Sequence, residues 1–235
     1  MSQILSINII IERGIDLVSM GNYKSSRSEY IYYEIRKKIL TGIYTPNTRL
    51  LVLEVAKEFE VSQAPVREAF ERLKQEGLLI GIKNKGSIIS KIEQKEIEDV
   101  YVLRELMENY VMRVYLEKRL PDDIHHLESI YHEMRNSAEN EDLLRLIELD
   151  MEFHQFFYER SGNTEILRVW KNLKIKVMRF IVTTNQLYYP NLKIVADTHL
   201  ELIDALKNGN EEIILDVFDS HIKEVWWRMK EKNKK

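Results

Sequence analysis

In the stretch ELDMEFHQF, Glu148 to Phe156, an aspartate and a histidine stand four residues apart inside a long run with helical spacing. Arg145, Glu148, Glu152, Gln155 and Glu159 form one polar stripe at three- and four-residue intervals. At about 100° per residue, Asp150 and His154 fall on the opposite side, level with Leu143, Ile147 and Phe157. A carboxylate and an imidazole turned toward a core need a partner, because an unpaired buried charge is costly. Two more histidines repeat the pattern. His199 lies opposite the wet stripe Asp197, Glu201, Asp204 and Asn208, and His221 opposite Glu212, Asp216, Asp219 and Lys223. Taken singly, each histidine reads as a satisfied core residue and Asp150 as an internal acceptor. Taken together, one carboxylate and three imidazoles facing inward from three helices ask for a shared partner. A divalent ion (Zn, Ni, Mn or Fe) suits that donor set. The i, i+4 pair Asp150/His154 puts two donors within reach of one ion. His125, His126 and His132 share a helix with acidic neighbours and read as surface residues.

From Gln94 onward the chain reads as helix after helix, punctuated by Pro121, Gly162, Pro190 and the NGN at 208–210. With no strand-like alternation and no repeat, this half is expected to be an all-α bundle of six or seven helices. In its first helix, Val100, Arg104, Met107, Val111 and Val114 share a stripe, so Arg104 leans inward. Its planar fork suits a small organic carboxylate, the alternative being an interhelical salt bridge. Arg179 is a second candidate for the same role. No further inward Glu or His is expected to serve as a general base.

The preceding residues follow another plan. Ile31, Ile35 and Ile39 mark a helix that Gly42 stops, TPNTRL reads as a turn, and LEVAKEFE as a short second helix. A third helix starts at Ser62, a natural N-cap, with Pro65 in its first turn and Gly77 at its end. Two short strands around NKG then form a hairpin. Helix, helix, turn, helix and hairpin is the layout of a winged helix-turn-helix. Val66, Ala69, Phe70 and Leu73 can pack inward, leaving Ser62, Gln63, Arg67 and Lys74 for base edges and phosphates, with Lys83, Lys85 and Gly86 at the wing tip. The agreement of caps, turns and hairpin favours this over a plain αα-hairpin with a solvated charged face.

The run VSQAPVREAFERLKQEGL, within residues 29–91, resembles the DNA-binding domain of the GntR family of bacterial transcription regulators. That resemblance implies operator contacts by Ser62, Gln63, Arg67, Lys85 and Gly86. The family often has Arg where this chain has Gln63 and Leu53, and Gln pairs with adenine where Arg pairs with guanine. The expected operator therefore lacks a guanine preference at the base facing Gln63. Residues 95–230 resemble the FCD domain, the ligand-binding domain of the FadR subgroup. There Asp150 and His154, the His of ADTHLELIDALKNGN and the His of VFDSHIKEV match the family's metal ligands, and an Arg in the first helix lies near its effector pocket.

Composition agrees with this division. Residues 23–92 hold thirteen Lys and Arg against eight Asp and Glu, whereas residues 93–235 hold twenty-one against twenty-eight. Only the basic half is suited to a polyanion. The chain has no cysteine, which excludes disulfides and thiolate metal sites and fits a reducing cytoplasm. No apolar run approaches the roughly 20 residues of a membrane span. The expected organisation is an arm at 1–25, a winged helix-turn-helix at 26–92, and a helical effector, metal and dimerisation domain at 93–235. The leading reading is a homodimeric, ligand-responsive regulator of double-stranded operator DNA, by default a repressor. The alternatives are a metalloenzyme using the Asp/His₃ set and a regulator for which the metal itself is the signal.

Overall fold

The computed structural model describes residues 27–83, 85–188 and 191–232, with side chains up to 182 and from 191 to 224. The expected arm at 1–25 lies outside the described residues.

Helix α1 (Arg27–Leu40) buries Ile31, Tyr32, Ile35 and Ile39 on one stripe and ends where Gly42 takes a left-handed φ of 77°. Helices α2 (Val52–Glu58) and α3 (Gln63–Gln75) follow, and α3 buries Val66, Ala69, Phe70 and Leu73 against α1. Gly77, at φ 70°, closes α3, and the Leu78 amide returns to the Leu73 carbonyl at 2.8 Å, as in a Schellman cap. The wing is β2 (Leu79–Ile82) and β3 (Gly86–Ile89), paired antiparallel with Ile82 opposite Gly86. The turn expected at TPNTRL is only partly right. Arg49–Leu50 form a short strand, β1, which pairs with β3 and makes a three-stranded sheet of order β1-β3-β2. A two-residue strand is too short to show a period of two, so the chain offered no pattern for it.

Six helices complete the fold: α4 (Gln94–Lys118), α5 (Pro121–Glu139), α6 (Leu143–Ser161), α7 (Thr164–Tyr188), α8 (Leu192–Asn208) and α9 (Glu211–Lys232). Helix α6 is the axis of this bundle, in contact with α4, α5, α7 and α8. The side chain of Asp142 accepts from the Arg145 amide at its start, and Gly162 ends it at φ 73°. Phe153, Phe157 and Tyr158 of α6 and Trp170 of α7 are fully buried around it.

Candidate metal centre and DNA-facing surface

The centre of α6 carries Asp150 and His154 one turn apart on the buried face. Helix α8 brings His199, and α9 brings His221. One donor atom from each of the four lies within 4.8 Å of all the others. His199 Nε2 is 2.8 Å from Asp150 Oδ1, His154 Nε2 is 3.4 Å from the same oxygen, and His154 Nε2 is 3.2 Å from His221 Nε2. Phe153 packs edge-on against His199, and Phe218 packs tilted against His154.

The outer ring nitrogens decide what the inner ones can do. His199 Nδ1 lies 2.9 Å from the Val195 carbonyl, which can only accept, so that nitrogen carries the proton. His154 Nδ1 lies 2.7 Å from the Glu108 carboxylate, a close polar contact that likewise favours a proton there. In the neutral rings, Nε2 of each then presents a lone pair toward Asp150. Acceptors facing acceptors across about 3 Å repel unless a cation or an extra proton stands among them, and that is the donor chemistry of a metal site. The four residues fit a divalent ion. Burial pushes the Asp150 carboxyl up, but when the extra proton stands in for the cation, hydrogen bonds and charge from His154 and His199 outweigh burial and hold the group well below its ordinary range. Burial, reinforced by His199 and His154, holds His221 well below the usual imidazole value.

Glu108, fully buried on α4, is an inward Glu beside the set that the sequence reading did not single out. Its Oε1 accepts from Arg104 Nε at 2.5 Å while Oε2 faces His154. Burial would raise its carboxyl, but Arg104 and His154 bring it below the ordinary value. Both oxygens are thus engaged away from the cavity, which leaves it unsuited to act as a base there. Arg104 is buried as expected, but its ion pair is with Glu108 on its own helix rather than interhelical. A small cavity of about 20 Å³ beside the cluster is lined by Arg104, Asp150, Ile181, Val195, Thr198, His199 and His221.

Arg179 is a correction. Although buried, it does not line that cavity. Its guanidinium donates to Ser90 Oγ at 2.5 Å and to the Ser90 carbonyl, in the segment that follows the wing. Ser90 Oγ donates in turn to the Gly77 carbonyl at the end of α3. A second strut joins the domains through Arg36 of α1. It pairs with Glu148 of α6 at 3.4 Å and with Glu76, the C-cap of α3, at 3.8 Å. Tyr32 also donates to Glu76.

On the head, Ser62, Gln63 and Arg67 are exposed at the start of α3. Ser62 takes the N-cap backbone conformation, yet its hydroxyl makes no capping bond. Pro65 occupies the third helical position, where the amide that such a hydroxyl binds is missing. Arg67 donates to Gln63 Oε1 at 3.1 Å. Lys74 is drawn back, paired with Glu71 at 2.8 Å and packed so close to β2 that a Cβ on Gly81 would lie 3.6 Å from its ammonium. Lys85 and Gly86 are exposed at the wing tip. Gly86, at φ 84°, has a backbone reason for its identity: a Cβ there would meet the Leu50 carbonyl at 2.8 Å.

Residues 27–89 match the family described as bacterial regulatory proteins, gntR family, and residues 99–224 match the FCD domain. The chain belongs to the GntR family. It is a DNA-binding transcription regulator with an FCD domain behind its GntR head. It is 26% identical over 206 residues to the gluconate operon transcriptional repressor of Bacillus subtilis (strain 168), covering 86% of this chain and 84% of that one. It is 27% identical over 198 residues to the HTH-type transcriptional repressor RspR of Escherichia coli (strain K12), covering 84% and 86%. The solved structure of E. coli McbR/YncC superposes with a TM-score of 0.69 at 16% identity, over 88% of this chain and 99% of that one, a likeness of fold. The relatives are transcription regulators rather than enzymes. No described helix is long and apolar enough to cross a membrane.

Proposed function

We propose that this GntR regulator is a cytoplasmic repressor that senses a small organic carboxylate through a divalent metal ion in its FCD domain. The observation carrying the reading is the convergence of Asp150, His154, His199 and His221 beside an Arg104-lined cavity. These four residues would hold the ion, which when bound supplies a Lewis-acidic anchor for an acid oxygen. Arg104 orients the acid from the cavity wall, with Glu108 fixing the guanidinium in place. Residues 26–92 read the operator and residues 93–235 sense and dimerise. Ser62, Gln63 and Arg67 offer donors to bases and phosphates, Lys85 and Lys74 add positive charge, and Gly86 shapes the wing. Repression is supported by the names of the two relatives above.

A homodimer is supported by the outer face of α4, where Val102, Leu103, Leu106 and Tyr110 are 45–65% exposed in one stripe. An apolar strip of that kind marks an interaction surface. A second copy of the chain is the partner that a two-half-site operator calls for. Arg36 and Arg179 join the sensing half to both ends of the wing and to the end of α3, so a change around α6 reaches the head. Coupling of this kind is typically about 1–3 kcal/mol, several-fold or more in operator occupancy.

Fluorescence anisotropy on labelled operator DNA tests the proposal, with zinc-loaded and chelated protein and a panel of small carboxylates. The expected result is acid-induced weakening of DNA binding by several-fold in the loaded protein alone. Turnover of an acid would point to a metalloenzyme instead. A response to zinc in the absence of any acid would make the metal the signal.

A further inference from the structure

The fixed charges around the cavity can be counted. Among the described residues, the buried ionised groups that surround it are Arg104, Asp150 and Glu108. Asp123 is paired with Arg160, and Arg179 lies against Ser90. With an ion bound, the three histidines act as neutral donors. The side chains therefore sum to one negative charge, and a divalent ion would turn this into one positive charge. A monocarboxylate brings that total to zero. A dicarboxylate leaves an excess negative charge in a buried site, which is costly.

Within that count Glu108 has a distinctive place. It does not line the cavity, and both its oxygens are engaged, on Arg104 at 2.5 Å and on His154 at 2.7 Å. It therefore acts on a bound acid through charge and not through contact. Among the described residues, the remaining lining is apolar or neutral, from Ile181, Val195 and Thr198, and offers no second cation for a second carboxylate.

We propose that Glu108 is a specificity-determining residue that restricts the pocket to monocarboxylates, by cancelling the charge Arg104 would otherwise offer to a second carboxylate. The inference rests on the reading of the cavity as an acid pocket beside a divalent ion. Removing the charge of Glu108 without changing its shape raises the total to two positive charges and suits a dianion.

The test is calorimetric titration of zinc-loaded, full-length protein with matched pairs of equal carbon count: lactate against malonate, and gluconate against glucarate. Wild-type protein is expected to bind the tighter monoanion at least tenfold more tightly than its dianionic partner. In Glu108→Gln that ratio falls at least tenfold or reverses, while Glu108→Asp, which keeps the charge, retains the wild-type ratio. Zinc content and the far-ultraviolet spectrum of each variant are measured alongside. Should Glu108→Gln fail to fold, the wild-type ratio decides: equal affinity for both members of a pair overturns the inference. A ratio unmoved in folded, zinc-loaded Glu108→Gln overturns it too, and in both cases the acid-pocket reading stands. Binding of no acid of any kind by wild-type protein overturns that reading and the inference with it.

Discussion

His199→Ala removes one inward nitrogen from the cluster and frees Asp150 Oδ1 of its nearest neighbour. With three donors left, metal content measured by plasma mass spectrometry after dialysis is expected to fall from near stoichiometric to below a tenth. Chelation of the wild-type protein should lower its melting temperature and added zinc restore it. At a thousandfold excess over the dissociation constant, a ligand bound only by the folded state contributes about 4 kcal/mol. On the head, Gln63→Arg is expected to introduce a guanine preference at the facing base in a selected-site binding assay; strong guanine already present with wild-type protein would overturn the assignment. The four donors were legible in the sequence because each is a polar residue on the apolar side of a regular helix. Glu108 was not, because it lies at the edge of the inward stripe that carries Arg104, and the outer face of α4 is apolar too, so the polar side that would mark the contrast is missing. Arg179 was legible as buried but not as a strut, since its partner Ser90 lies 89 positions away in the other domain.

The elements make their own predictions. Gly86→Ala must force a left-handed backbone and a Cβ at 2.8 Å from the Leu50 carbonyl, which prises β1 from β3. The expected cost is about 1–3 kcal/mol, read as a lower urea midpoint, with weakened operator binding from the displaced wing. Arg36→Ala cuts the contact of α1 with Glu148 and Glu76. Acid should still bind, as calorimetry would report, but its effect on DNA affinity should drop to less than twofold. Full retention of the effect would assign the coupling to Arg179 and Ser90. All nine described helices were marked in the sequence by caps, glycines and periodicity. The strand β1 was hidden because its existence depends on pairing with Ser87 and Ile88 far downstream rather than on its own composition.

For the assembled molecule, the apolar outer strip of α4 is the place to intervene. Leu106 is 65% exposed, so Leu106→Glu should leave the melting curve in place. Light scattering after gel filtration should show a monomer where wild-type protein is a dimer, and operator affinity should fall by about 10²-fold or more as the paired engagement of half-sites is lost. An unaltered mass would move the interface elsewhere. The two-domain plan was readable from composition, the basic half and the acidic half meeting near residue 92. The joint between them was not, because its ties are single long-range contacts, the ion pairs of Arg36 and the hydrogen bonds of Arg179 to Ser90, which no local pattern marks.

Asp150 and Glu148 sit two positions apart on α6, and so about 200° apart around its axis. One points at the imidazole cluster and the other at Arg36. Were a bound ion to rotate α6, the two side chains would move as cranks on one axle. A turn of about 10° sweeps a side-chain tip at about 6 Å radius through roughly 1 Å, and whatever draws one crank in swings the other out. The 3.4 Å grip of Arg36 on Glu148 is loose enough for such a stroke to release it.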